Sequence, residues 1–162
     1  MAELTPLDEK LGEVLGLAQA AQDATQKVAK LAEHDELVTR LEQMREEAEE
    51  TERRTMALVD GLEGKKTAIQ EKGRETKGEA TEMMKIYLGD DADELDGFEF
   101  LTMAEAGEVG HWAVLRKLNE RAGDPRLQEL VDWALPIQER HFETVKECSL
   151  TLAASEDPYE ES

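Results

Sequence analysis

The stretch from Leu101 to Leu118, LTMAEAGEVGHWAVLRKL, decides the fold. Its apolar residues return every three or four positions, which is the spacing of an amphipathic helix. Glu105 and Glu108 stand on the same stripe, three residues apart and therefore on one face of the helix. His111 follows three residues later, close to that face. The stretch predicts a helix that directs acid side chains into an apolar core.

The last long segment of the chain has a similar mixed stripe. Its predicted core positions are Leu127, Leu130, Ala134, Gln138, His141, Val145, Cys148 and Leu152. Gln138 and His141 are the polar members of this stripe, again three residues apart. Polar groups in a core are costly unless they are hydrogen-bonded, paired or bound to a metal. We therefore expect Glu105, Glu108, Gln138 and His141 to face one another.

Two more helices are predicted upstream. Thr5-Pro6 is a helix start signal, with Thr as the cap and Pro at the first helical position, and apolar spacing continues to about Ala32. Asp35 then opens a second long helix, which Gly61 and Gly64 end. Because the turn between them is short, the two helices are expected to be antiparallel neighbours.

The middle of the chain is less regular. The segment from Lys65 to Gly89 is more polar and contains Gly73 and Gly78, which predicts a connector with one short helix over about Glu79 to Tyr87. The acidic run from Gly89 to Gly97 predicts a loop. A connector of this length can cross from one end of a helical bundle to the other.

The predicted fold class is all-α. The third and fourth long helices run from about Phe98 to Arg121 and from about Arg126 to Ala154. Together with the first two they predict an antiparallel four-helix bundle, a single domain over residues 1–154, with a long connector between its two hairpins. Residues 155–162 are predicted to form an acidic flexible tail.

Charge narrows the choice of partners. The chain has 39 acidic and 19 basic residues, a formal charge of -20, which disfavours nucleic acid and anionic membrane surfaces and leaves cations as partners. No apolar run approaches the length that spans a membrane. The single cysteine, Cys148, lies among apolar neighbours, which predicts a buried thiol and a cytoplasmic protein.

Three explanations fit the polar core positions. One is a metal centre, because carboxylates bind hard cations and imidazole extends the choice to iron, manganese or zinc. Another is a metal-free hydrogen-bonded network, which Arg116 or Arg140 could close. The third is that the assigned helix phase is one residue off, so that the polar groups are half exposed.

The same residues resemble a known family. The segment from Ala104 to Leu118, the AGDP turn after it and the motif QERHFE over 138–143 resemble the second half of ferritin-like proteins, and are most similar to the YciE-type group. The resemblance covers roughly residues 10–150. It implies a four-helix bundle that holds two metal ions through Glu on the first and third helices and Glu-x-x-His on the second and fourth.

The resemblance also implies a ligand set, with departures. Glu105 and Glu108 match the Glu-x-x-Glu form found in related rubrerythrins, whereas Gln138-x-x-His141 keeps the spacing of the fourth helix but has an amide in place of the acid. On the second helix Glu47-x-x-Glu50 or Glu46-x-x-Glu49 stands where Glu-x-x-His is expected, and the first helix has no carboxylate in the expected zone. The implied metal ligands are Glu105, Glu108, His141, His111, Glu47 and Gln138.

The resemblance therefore implies a non-haem metal-binding protein, related to stress or to iron and oxygen handling, with an incomplete dinuclear site. Its cofactor would be one or two iron, manganese or zinc ions, or none. The alternative is a metal-free helical module that acts by association, for example by forming a homodimer through its helix faces.

Overall fold

The computed structural model describes residues 2–161. This part of the chain has five helices and no strand, which confirms the all-α class. The helices are α1 (Pro6–Leu31), α2 (Asp35–Asp60), α3 (Lys66–Tyr87), α4 (Glu94–Ala122) and α5 (Pro125–Ala154). None of these helices combines the length and the apolar character that crossing a membrane requires.

The start of α1 is fixed as the sequence predicts. The Thr5 side chain accepts a hydrogen bond from the Asp8 backbone, and the Asp8 carboxylate accepts one from the backbone of Thr5, which completes a capping box. Pro6 occupies the first turn, where its missing N–H is no loss. Lys65 Nζ lies 2.6 Å from Asp8 Oδ2, so the same carboxylate also joins the start of α1 to the start of α3.

The helix directions follow from contacts between named residues. Lys10 near the start of α1 meets His111 late in α4, and Val28 near the end of α1 meets Gly97 early in α4, so these helices are antiparallel. The contacts Arg40 with Cys148 and Glu47 with Arg140 make α2 and α5 antiparallel in the same way. Helix α1 also packs against α2 and α3, and α5 packs against α4.

The connector prediction is wrong for α3. The structure has one continuous helix of 22 residues in place of a short helix over 79–87. Gly73 does not break this helix, because α1 and α3 cross there: a Cβ built on Gly16 would lie 2.3 Å from the Gly73 carbonyl oxygen. Gly73 is thus a packing residue that lets two backbones approach closely.

The loop predicted over Gly89–Gly97 is also too long, because α4 begins at Glu94. The first turn of α4 is held by a capping box between Asp93 and Asp96, a signal that the acidic composition of the run concealed. Glu94 turns inward and is only 8% exposed. It accepts hydrogen bonds from the backbone N–H groups of Glu33 and His34, and so fastens the turn between α1 and α2 to the start of α4.

The apolar core has two parts. One cluster contains Val14, Val59, Trp112, Leu115 and Val131, and the other contains Val28, Met44, Phe98, Leu101 and Val145. On α4 the residues Glu105 and Glu108 lie between Leu101 of one cluster and Trp112 of the other. The polar side chains therefore lie between the two apolar clusters along α4. Cys148 is buried as predicted.

Candidate metal centre

The four predicted core-facing polar residues are all buried. Glu105 is 2% exposed, Glu108 4%, Gln138 1% and His141 3%. This result excludes the explanation in which the helix phase is one residue off. The 3.6-residue period of α4 and α5 brings each pair onto the inner face, because residues three apart share a face.

The Gln138 amide joins the two carboxyl groups. One end of the amide lies 3.2 Å from Glu105 Oε2 and 2.7 Å from Glu108 Oε2. With its nitrogen turned to that side, the amide donates a hydrogen bond to each carboxyl group. With its oxygen turned there, three oxygens converge, and only a shared proton or a cation can hold them together. Ionised acids thus favour the orientation with the amide nitrogen inward, whereas protonated acids or a bound cation favour the one with the amide oxygen inward.

His141 links this group to α2. Its Nε2 lies 3.0 Å from Glu47 Oε1, and its Nδ1 lies 3.9 Å from Glu105 Oε2. The guanidinium of Arg140 donates to both oxygens of the same Glu47 carboxylate, at 3.2 and 2.5 Å. Of the two arginines considered from the sequence, Arg140 is the one that joins the network.

The surroundings shift the pKa values in opposite directions. Burial raises the pKa of Glu105 to about 8, and burial together with the neighbouring charge of Glu105 raises the pKa of Glu108 well above its usual value. Burial would also raise the pKa of Glu47, but hydrogen bonds from Arg140 and His141 outweigh it, so that the pKa of Glu47 is lowered. Burial lowers the pKa of His141, although Glu47 opposes this effect.

These shifts define the charge of the site. Without a cation, protons hold the Glu105 and Glu108 carboxyl groups close to neutrality, while Glu47 stays ionised beside Arg140. A cation that binds between Glu105 and Glu108 has to displace those protons. One turn further along α4, the buried indole N–H of Trp112 has no acceptor among the described residues.

His111 is not brought to this cluster. Its Nδ1 lies 3.0 Å from Lys10 Nζ and 3.0 Å from Glu13 Oε2, so the ring is held against α1. A step of three residues along a helix turns the side chain by about 60° from its predecessor, which here is enough to move His111 to the α1 side of α4. Its predicted role as a ligand is therefore not supported by a short contact with Glu105 or Glu108.

Helices α2 and α1 differ in the side chains that they place at the positions of the expected ligands. Glu47 points inward to His141, whereas Glu50 accepts hydrogen bonds from Arg53 and Arg54 on the outer surface. On α1 the expected ligand zone holds Gln19 and Gln22, whose amides donate to Glu52 at 2.8 and 2.9 Å. Within residues 2–161, no three His, Cys, Asp or Glu side chains are placed close enough together to hold a metal ion.

The groove that leads to Glu105 and Glu108 was not predicted from the sequence. It runs between α1, α3 and α4 and has a volume of about 330 Å³. A signal was present, because Ala20, Ala21 and Ala24 on α1 and Gly107 on α4 are small residues at positions that face this gap. Without the position of α3, however, small residues on two helices do not indicate a groove.

Comparison with known proteins adds no assignment. No model of a known protein family matches this chain, and no curated protein matches it either.

Proposed function

We propose that this chain is a ferritin-like bundle that binds one metal ion between α4 and α5. In this proposal α1, α2, α4 and α5 form the four-helix bundle. Helix α3 is the crossover that returns the chain from the end of α2 to the start of α4. Two features support it: α3 runs parallel to α1, and α1 with α4 and α2 with α5 are antiparallel neighbours.

The observation that carries the proposal is the convergence of ligand atoms at mid-core. Oxygens of Glu105 and Glu108 lie within 3.2 Å of the same end of the Gln138 amide, and the free Nδ1 of His141 faces Glu105. Two carboxylates, an amide oxygen and an imidazole suit iron, manganese or zinc. The proposal requires side-chain rotations that bring these four groups around one ion, because no three such side chains of the described residues are close enough together as they stand.

Glu47 fits the role of an orienting residue. A metal-bound histidine usually donates its second ring N–H to a carboxylate, which fixes the tautomer and the direction of the ring. Glu47 Oε1 already lies 3.0 Å from His141 Nε2. We therefore place Glu47 behind His141, as the partner that keeps Nδ1 available to the ion.

Charge balance favours one ion over two. The ionised Glu105 and Glu108 neutralise one divalent cation, while the charge of Glu47 is matched by Arg140. A second ion would need further buried carboxylates, and α1 offers only Gln19 and Gln22 in the zone where the family has glutamate. The departures from the family pattern thus support a site that holds one metal ion in place of two.

Metal analysis tests the proposal. Protein stripped with a chelator is incubated separately with Fe²⁺ under anaerobic conditions, Mn²⁺ or Zn²⁺, desalted, and analysed by mass spectrometry for metal content. We expect about one ion per chain for at least one metal, with loss in Glu105→Gln and Glu108→Gln. The control is Glu99→Gln, which alters an exposed glutamate on the same helix and should bind as the wild type does.

The release of protons on metal binding provides a second measurement. Because the two acids are protonated in the metal-free protein, binding should release protons in a weakly buffered solution, and the release should be absent from the two glutamine variants. If reconstituted wild-type protein carries only trace metal with all three ions, the proposal is lost. The metal-free network held together by Gln138 would then be the explanation of the buried acids.

A further inference from the structure

The groove between α1, α3 and α4 has the dimensions of a ligand site. Its volume of about 330 Å³ falls in the range of small-molecule pockets. The groove exists because α3 packs closely on α1 at Gly16 and Gly73 but makes few contacts with α4. On the α1 side it extends from Leu17 to Ala24, about 10 Å along the helix.

Most of the groove wall is apolar and adaptable. Alanines of α1 form one side, and Met83, Met84 and Met103 from α3 and α4 form the other with Phe100 and Leu101. Met83 and Met103 are exposed large apolar side chains at the rim, so the groove is open to solvent. Unbranched methionine side chains can adjust to ligands of different shapes.

The titratable side chains of the lining are nearly all acidic. Asp23, Glu105 and Glu108 line the groove together with His111, and no Lys or Arg does so within the described residues. Asp23 has a partner outside the lining, Lys77 at 3.7 Å. The two buried acids of α4 are therefore the carboxyl groups left to meet a ligand. The Gln138 amide meets Oε2 of each, which leaves Oε1 of each for another donor.

We infer that this groove binds a small amphiphilic cation, an alkyl chain that carries an ammonium group. The alkyl chain would lie along the alanines of α1 and the methionines of α3, and the ammonium group would donate hydrogen bonds to Glu105 and Glu108. A fatty acid or other anionic amphiphile lacks a basic partner in the lining and meets two acids instead. The chain's charge of -20 also favours the approach of a cation.

The inference goes beyond the metal proposal and does not require it. An ammonium group and a divalent cation would use the same carboxyl pair, so they should compete. The alkyl part of the site lies in the groove, away from His141 and Gln138, which do not line it. Substitutions in the groove can therefore separate the two kinds of binding.

Titration calorimetry with n-octylamine, an ammonium ion at neutral pH, tests the inference. We expect saturable binding to the metal-free protein at one site, about fourfold tighter for each added methylene from hexylamine to octylamine. Octanoate should not bind measurably, and n-octanol should bind at least about tenfold more weakly because its hydroxyl group cannot form a charge-assisted hydrogen bond with either acid, as the ammonium group can. Equal binding of octanoate and octylamine would overturn the inference.

Two glycines of α4 provide a matched pair of variants. Gly107 lines the groove and Gly110 does not, yet a Cβ added at either would meet no atom within 4 Å. Gly107→Leu should place its side chain in the mouth of the groove and weaken octylamine binding at least about tenfold, whereas Gly110→Leu should leave it unchanged. Equal effects of the two substitutions would contradict the assignment to this groove.

The head-group position has its own test. The double variant Glu105→Gln, Glu108→Gln should reduce the preference for octylamine over n-octanol to near unity, and an unchanged preference would overturn the placement of the ammonium group. Metal content of Gly107→Leu separates the two proposals. If this variant loses octylamine but still binds metal, both proposals stand; if the wild type binds octylamine and no metal, only the metal proposal fails.

Discussion

Glu47 on α2 and His141 on α5 are in direct contact between the two helices, with Glu47 Oε1 3.0 Å from His141 Nε2. The contact settles which ring nitrogen is free, because Nδ1 then faces Glu105 Oε2 at 3.9 Å. Arg140 holds the other side of the Glu47 carboxylate. A surface ion pair and a core imidazole are thus joined through one glutamate, which makes Glu47 a positioning residue for the proposed ligand His141.

Replacement of Glu47 by glutamine should weaken metal binding without removing a ligand. The amide can still contact His141, but it no longer favours one tautomer or opposes the effect of burial on the pKa of the ring. We expect the affinity to fall about 10- to 100-fold, measured by competition with a chromogenic chelator. Glu50→Gln, three residues later on the outer face, is the control and should change the affinity little. Equal affinities of wild type and Glu47→Gln would show that Glu47 does not orient the ligand.

The buried acids predict an unusual pH dependence. Between the usual value of 4.5 and about 8, folded Glu105 retains a proton that the unfolded chain has lost. Folding therefore takes up protons, and the stability that Glu105 contributes is complete below about 4.5 and is lost as the pH rises towards 8. Glu108, whose pKa burial and the neighbouring charge of Glu105 also raise, acts in the same direction.

Urea unfolding with a chelator present, at pH 5, 6.5 and 8, measures this effect. The other acidic residues also contribute to the pH dependence, so the informative quantity is the difference between wild type and the double variant Glu105→Gln, Glu108→Gln. We expect the free energy of unfolding of the wild type to fall more steeply with pH, so that the variant gains relative stability at pH 8. Parallel curves for the two proteins would contradict raised pKa values at these positions.

The sequence was sufficient to predict the polar face of α4 and α5. Burial at Glu105, Glu108, Gln138 and His141 follows from apolar periodicity, because a long helix has only one rotation that buries its apolar stripe. It could not place His111, since a residue 60° from the stripe can turn to either neighbouring helix. The neighbour was decided by Lys10 and Glu13, on a helix about a hundred residues earlier.

The extent of α3 could not be predicted for a related reason. Gly73 and Gly78 have the same local meaning in a sequence, as weak points of a helix. In the structure Gly73 is buried against α1, whereas Gly78 faces open space. Only the partner surface distinguishes a glycine that permits close packing from one that merely lowers helix propensity. The groove between α3 and α4 was missed for the same reason.

Glu94 should be a stabilising residue at the start of α4. It is buried and accepts hydrogen bonds from the backbone N–H groups of Glu33 and His34, at 2.6 and 3.3 Å. Glu94→Ala leaves these donors without that acceptor and should lower the free energy of unfolding by about 1–3 kcal/mol. Glu94→Gln retains an acceptor oxygen and should cost less than Glu94→Ala. Urea unfolding at pH 7 measures both, and an alanine variant within about 0.5 kcal/mol of wild type would refute this role.

The crossing of α1 and α3 gives the last prediction, a pair of alanine substitutions with opposite signs. A Cβ on Gly16 would lie 2.3 Å from the backbone carbonyl oxygen of Gly73, an atom that cannot rotate away, so Gly16→Ala has to push the helices apart. We expect a loss of about 1–3 kcal/mol in the free energy of unfolding. Gly78→Ala on the open face of α3 should instead gain about 0.5–1 kcal/mol, because alanine favours the helix and meets no neighbour. Urea unfolding of the two variants against wild type decides the matter, since a stabilising Gly16→Ala would mean that α3 does not pack on α1 at this point.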